Sequence, residues 1–87
     1  MTSREEAYRA AIRGALEDHL ARVKAARRTR HLAVSRAKNL GQDASRRLAV
    51  YDAANEEYEK AVRNSDAQRA KDDADALAAF KATGEAD

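Results

Sequence analysis

The fold is decided by residues 39–43, Asn39-Leu40-Gly41-Gln42-Asp43, which separate two long stretches without proline. Gly41 can adopt the left-handed conformation with which many helices end. Asp43 is a preferred N-cap, because its side-chain oxygen can accept a hydrogen bond from the first turn of the next helix. A link this short joins helices that run back along each other, so the sequence predicts an antiparallel two-helix hairpin.

The composition supports helix and no other regular structure. Of the 87 residues, 22 are Ala, three are Gly and none is Pro, and Ala is the strongest helix former. Leu, Ile, Val and Phe together contribute only 12 residues. We therefore expect an all-α fold with a thin core, in one domain that spans residues 1–87.

Local signals set the predicted helix boundaries. Ser3-Arg4-Glu5-Glu6 is typical of a capping box, so helix 1 is predicted over about residues 4–39. The turn covers residues 40–43 and helix 2 follows over about residues 44–82. Residues 83–87 are predicted to form a frayed tail.

Both helices carry side chains at alternating steps of four and three, which is typical of the heptad repeat of a coiled coil. In helix 1 they are Ile12, Leu16, His19, Val23, Ala26, Arg30, Ala33, Ala37 and Leu40; in helix 2 they are Ala44, Leu48, Tyr51, Asn55, Tyr58, Val62 and Ser65. Beyond Val62 the pattern slips by one residue, to Ala70, Ala74, Leu77 and Phe80. Either a stutter in a continuous helix or a break near Asn64-Ser65 that creates a third helix explains the slip, and the continuous helix is favoured.

A hairpin folded at Gly41 brings together residues whose numbers sum to about 84, with an error of about half a turn. In that register Arg30 falls near Asn55 and His19 falls near Ser65. Polar residues in a helix seam often fix its register. We therefore predict that Asn55 and His19 form register-setting polar layers.

Several apolar side chains find no place between two helices. They are Leu20, Leu32, Val34, Val50, Tyr51 and Tyr58. Because long helices are stabilised mainly by packing of an apolar face, a second hairpin would cover them economically. The sequence predicts a homodimer with a four-helix arrangement, or a hairpin docked on a larger protein assembly.

Charge is segregated along the chain, because residues 22–47 hold nine Lys or Arg against the single acid Asp43. A basic stripe is predicted on helix 1 and its members are Arg13, Lys24, Arg27, Arg28, Arg30, His31 and Lys38. Such a stripe suits a phosphate backbone. In the competing interpretation, the carboxylates of helix 2 neutralise it from across the hairpin; these are Asp52, Glu56, Glu57 and Glu59.

No motif of a catalytic, metal or cofactor site is evident, since the two histidines are twelve residues apart and no cysteine or glycine-rich phosphate loop occurs. No apolar run is long enough for a membrane span. We expect a non-enzymatic interaction or assembly module that self-associates and binds a larger protein assembly in the cytoplasm, or within a particle assembled there, such as a phage. The alternative is a small architectural nucleic-acid-binding protein that uses the basic tip.

Overall fold

The computed structural model describes residues 3–39, 41 and 43–86, with two helices and no strand among them. Helix α1 spans Ser3–Lys38 and helix α2 spans Ala44–Ala86. The two helices pack against each other along their length. The predicted all-α hairpin is therefore confirmed. Leu40 and Gln42, which belong to the predicted turn, lie outside the described residues.

The turn has the chemistry that the sequence predicts. Gly41 has a φ of +72°, in the left-handed region. The Oδ1 atom of Asp43 accepts a hydrogen bond from the backbone N–H of Arg46 at 3.1 Å, as expected of an N-cap. The guanidinium of Arg47 also donates to the Gly41 carbonyl. These contacts fix the direction in which α2 leaves the turn.

Helix α2 is longer and more regular than predicted. It runs without a break through Asn64 and Ser65, so the continuous-helix explanation is confirmed and the third helix is wrong. It also continues to Ala86, beyond the predicted end at about residue 82, and the fraying of residues 83–87 stays a prediction. The guanidinium of Arg4 lies 3.8 Å from the Phe80 ring centroid, and Arg4 Nε donates a hydrogen bond to the Phe80 carbonyl at 2.8 Å. The same guanidinium occupies the space that a side chain at Gly84 would need.

The interface between the helices repeats every eleven residues. In α2 the buried residues are Ala54, Ser65 and Ala76, and in α1 Ala15 and Ala37 are buried with half-buried Ala26 between them. Eleven residues make three turns at about 3.67 residues per turn, close to the 3.6 of a straight helix. The hairpin measures 68 × 16 × 7 Å over its Cα atoms. It is a flat ribbon whose helices lie side by side without winding round each other.

The heptad interpretation is therefore wrong in part, since Ala26, Ala37 and Ser65 lie in the seam as predicted but other chosen residues do not. Ala15 replaces Leu16 in the seam, and Ala54 replaces Asn55. Small side chains occupy these positions because two helix backbones approach closely only where no bulky side chain holds them apart. No slip after Val62 is needed, because Ala76 follows Ser65 by eleven residues. The displaced seam is also wrong in part, since Ala70, Ala74 and Leu77 are exposed and only Phe80 packs across the hairpin.

The register of the hairpin agrees with the prediction. His19 contacts Ser65, Arg4 contacts Phe80, and the rings of Tyr8 and Phe80 lie 5.0 Å apart between centroids. The residue numbers of these pairs sum to 84–88, against a predicted sum of about 84 with an error of half a turn. Counting from the turn therefore gives the observed pairing of α1 with α2.

Candidate interaction surfaces

The flat ribbon has two broad faces. In each helix, the residues on one side of the seam belong to one face, and the residues on the other side of the seam belong to the opposite face. On a wheel with about 100° between residues, one flank collects most of the branched apolar side chains. We call this surface the leucine face, and it comprises Ile12, Leu16, Leu20, Val23, Val34, Leu48, Tyr51, Val62 and Leu77. The opposite surface is the groove face, where alanines line shallow depressions between the helices.

The leucine face exposes side chains that normally lie inside a protein. Leu16, Leu20, Leu48 and Leu77 are between 36% and 60% exposed. Ile12, Val23 and Val34 are half-buried beside them and recur at intervals of eleven, so the face follows the same repeat as the seam. Exposed leucines that gather on one side of a protein are typical of an interaction site.

On the groove face near the turn, a depression of about 440 Å³ separates the helices. It is lined by Ala26, Thr29, Arg30, Ala33, Val50, Ala53, Ala54, Glu57, Tyr58 and Ala61. The Arg30 guanidinium lies 4.1 Å from the Tyr58 ring centroid, and Arg27 Nε donates to the Tyr58 hydroxyl at 3.4 Å. Tyr58 therefore forms a rigid wall in a groove whose other walls are small.

Two further depressions continue the groove face towards the open end of the hairpin. One, of about 310 Å³, lies beside the rings of Tyr8 and Phe80 and is lined mainly by small residues. The other, of about 480 Å³, carries the carboxylates of Asp18, Asp72 and Asp75. The groove face is thus apolar near the turn and acidic further along.

The six residues predicted to mediate self-association do not form one patch. Leu20, Val34 and Tyr51 lie on the leucine face, whereas Val50 and Tyr58 line the groove. Leu32 is 45% exposed and lies on the groove side of α1, but it lines none of the three depressions.

Sequence reasoning missed three exposed leucines, because the heptad interpretation placed them in the seam. These are Leu16, Leu48 and Leu77. The spacing of Ile12, Val23 and Val34 at eleven residues is the signal that could have revealed them, since it predicts a seam of alanines beside them.

One predicted polar layer is present and the other is not. Ser65 is only 3% exposed, and its Oγ lies 2.9 Å from His19 Nδ1 and accepts a hydrogen bond from Arg22 Nε at 2.8 Å. His19 contacts Ser65 as predicted, and Arg22 joins the layer unforeseen; that the layer sets the register stays a prediction. The prediction for Asn55 is wrong, because its side chain is exposed and Arg30 stacks on Tyr58 instead.

The His19 layer has the composition of a catalytic triad without its geometry. His19 Nε2 lies 3.5 Å from Asp66 Oδ1, and its other ring nitrogen contacts Ser65. The Ser65 hydroxyl, however, is buried and occupied by Arg22, and neither Ser65 nor His19 lines any of the three depressions. A substrate carbonyl therefore has no path to this oxygen, and the layer acts to join the helices.

The basic stripe is largely exposed, with only Arg30 half-buried. Arg13, Lys24, Arg27, Arg28, His31 and Lys38 are the exposed members. In the described part of the chain, no ion pair joins them to the carboxylates of α2, and the pair that does cross between the helices is His19 with Asp66. Direct neutralisation of the stripe, the competing interpretation, is therefore not seen.

Three kinds of evidence that often identify a function give no lead here. Over residues 3–39, 41 and 43–86, no three His, Cys, Asp or Glu side chains are arranged to hold a metal ion. Neither helix, in its described part, has an apolar stretch that could cross a membrane. Comparisons with protein-family models, with curated proteins and with solved structures give no match. The function is therefore inferred from the surfaces themselves.

Proposed function

We propose that the chain is a non-enzymatic helical interaction module that self-associates through its leucine face and presents its groove face to a larger protein assembly. The observation that carries the proposal is the exposure of Leu16, Leu20, Leu48 and Leu77 on one side of a thin ribbon. The buried positions of the intramolecular seam are alanines and Ser65, and the hairpin leaves these leucines partly exposed. Their burial in a partner would release water from apolar surface, which is the main favourable term in protein association.

The groove face suits a different role. Its depression near the turn has alanine walls, with Val50 and Tyr58 at the rim and the charged groups of Arg30 and Glu57 beside them. Such a groove accepts apolar side chains from a helix of another protein, while the charges orient it. A cytoplasmic assembly, such as a particle or a regulatory complex, is the setting that we propose for this contact.

Two lysine substitutions on opposite sides of α1 test the proposal. Leu20→Lys places a charge on the leucine face at a position that is 56% exposed, and Leu32→Lys makes the same change on the groove side at 45% exposure. We expect Leu20→Lys to shift the mass by light scattering to the 9.6 kDa of one chain, and Leu32→Lys to leave a dimer. If both variants keep the mass of the unmodified protein, the leucine face is not the interface.

A second candidate function, nucleic-acid binding, is favoured by the unpaired state of the basic stripe. The described part of α1 from Arg22 to Lys38 contains seven Lys or Arg and no acid. Contacts between such side chains and phosphates release counterions, so affinity should fall steeply with salt. This surface lies mainly along the outer edge of α1, so a leucine-face dimer would leave most of it free.

A titration with duplex DNA at two salt concentrations tests this second candidate. We expect binding at about 50 mM salt that weakens by 10-fold or more at about 200 mM. Arg27→Ala with Arg28→Ala should weaken it, whereas Lys71→Ala with Lys81→Ala, at the open end, is the control. Absence of binding at the lower salt concentration would remove the candidate.

A further inference from the structure

The hairpin is a charge dipole along its long axis. The half that contains the turn, residues 22–63, holds eleven bases against five acids, for a net charge of +6. The open half, residues 1–21 and 64–87, holds six bases against ten acids, for a net charge of −4. The separation is built into the fold, because a hairpin returns the acidic end of α2 to the start of α1.

We infer that the occupant of the leucine face is a second copy of this chain, stacked antiparallel, so that the turn of each hairpin lies over the open end of the other. The inference rests on the proposed self-association and adds its orientation. An antiparallel stack places opposite net charges over each other and attracts, whereas a parallel stack would place two halves of net charge +6 against each other.

The apolar residues fit the same orientation. The midpoint of the ribbon lies near the layer of His19 and Ser65, so Leu20 and Val62 fall close to the twofold axis and meet their own copies. An antiparallel stack brings Leu48, near the turn, to the level of Leu77 in the second copy. Self-complementary contacts of this kind are what a twofold interface requires.

The available surface is sufficient for a stable dimer. A ribbon of 68 × 16 Å presents roughly 1,000 Å² to a second copy, above the 800 Å² or so that each partner buries in a standard interface. Because the Cα atoms of the ribbon extend only 7 Å in its thinnest direction, the two faces can touch from end to end. A wound coiled coil would turn the leucines away from the partner along its length.

Spin-label distances test the orientation. The chain has no cysteine, so a single Cys introduced at exposed Asn39, beside the turn, carries the only nitroxide. We expect a distance of about 60 Å between the two labels of a dimer, close to the 68 Å length of the ribbon. A label at Lys24→Cys, near the midpoint, is the matched control and should give a separation of about 30 Å or less in either orientation.

Each outcome decides something different. A short distance at both positions would show a parallel dimer, and would overturn the orientation while leaving self-association intact. An absence of dipolar coupling at both positions, with the mass of one chain, would overturn self-association as well. Salt provides an independent test. Because salt screens the attraction between opposite charges, the dissociation constant of the antiparallel dimer should rise roughly threefold or more between 50 and 500 mM NaCl. A dimer that tightens with salt would contradict the charge argument.

Discussion

Replacement of Ser65 by Ala tests the polar layer that joins the two helices. The Ser65 hydroxyl accepts from the charged Arg22 at 2.8 Å and contacts His19 at 2.9 Å. A hydrogen bond to a charged group contributes about 1.5–3 kcal/mol, and a neutral one about 1 kcal/mol. Arg22 keeps a weaker bond to the Ser65 carbonyl at 3.4 Å, which limits the loss.

The helix itself offsets part of this cost. Ala is a better helix former than Ser by about 0.5 kcal/mol. We therefore expect Ser65→Ala to lower the free energy of unfolding by about 2 kcal/mol. For 87 residues the total is on the order of 4–13 kcal/mol, so the loss should be conspicuous in the urea midpoint.

Urea unfolding followed by circular dichroism, at one fixed protein concentration, measures this change. Asn64→Ala is the control, because Asn64 is exposed in the same turn of α2 and its replacement gains helix propensity without touching the layer. Equal midpoints for the two variants would refute the reasoning, since they would mean that the bonds to Arg22 and His19 contribute nothing to stability.

Three further substitutions probe the seam and the turn. Ala15→Leu should lower the free energy of unfolding by about 1–3 kcal/mol through overpacking, measured by thermal unfolding. Unchanged stability would show that Ala15 does not lie in the seam and would favour the heptad interpretation with Leu16. Gly14→Ala should raise stability by about 0.5–1 kcal/mol, since nothing lies within 4 Å of the added carbon; a lower urea midpoint would contradict this. Gly41→Ala should lower stability by about 1 kcal/mol or more, because its φ of +72° is strained for Ala, and an unchanged melting temperature would show that the turn relaxes freely.

The turn and the register could be predicted because they depend on local chemistry. Gly41 and Asp43 carry conformational and capping preferences that no distant residue overrides. Once they fix the bend, simple counting places His19 beside Ser65, and the structure agrees.

The seam could not be predicted in the same way, because alanine carries little pattern. With 22 alanines in the chain, several periodic rows pass through small residues, and a search for large apolar side chains selects Leu16 and Leu48 instead. The contact between two straight helices favours the small residues, and the leucines are left outside. For the same reason, the pattern predicts Asn55 in the seam, whereas the buried residue is its neighbour Ala54.

The end of α2 depended on a contact that the sequence does not reveal. Gly84 and the polar tail are ordinary signals of fraying. The aromatic pair of Tyr8 and Phe80, with Arg4 stacked on it, packs the last turns of α2 against the start of α1. Arg4 and Phe80 are 76 positions apart in the sequence, so their contact follows only from the folded hairpin.

Self-association through the leucine face doubles the mass of the protein in solution. Sedimentation equilibrium of the unmodified protein at micromolar concentration measures this mass independently of shape. We expect twice the 9.6 kDa of a single chain, with a dissociation that is visible on dilution. A mass of one chain at every concentration, for a protein whose circular dichroism is fully helical, would contradict it.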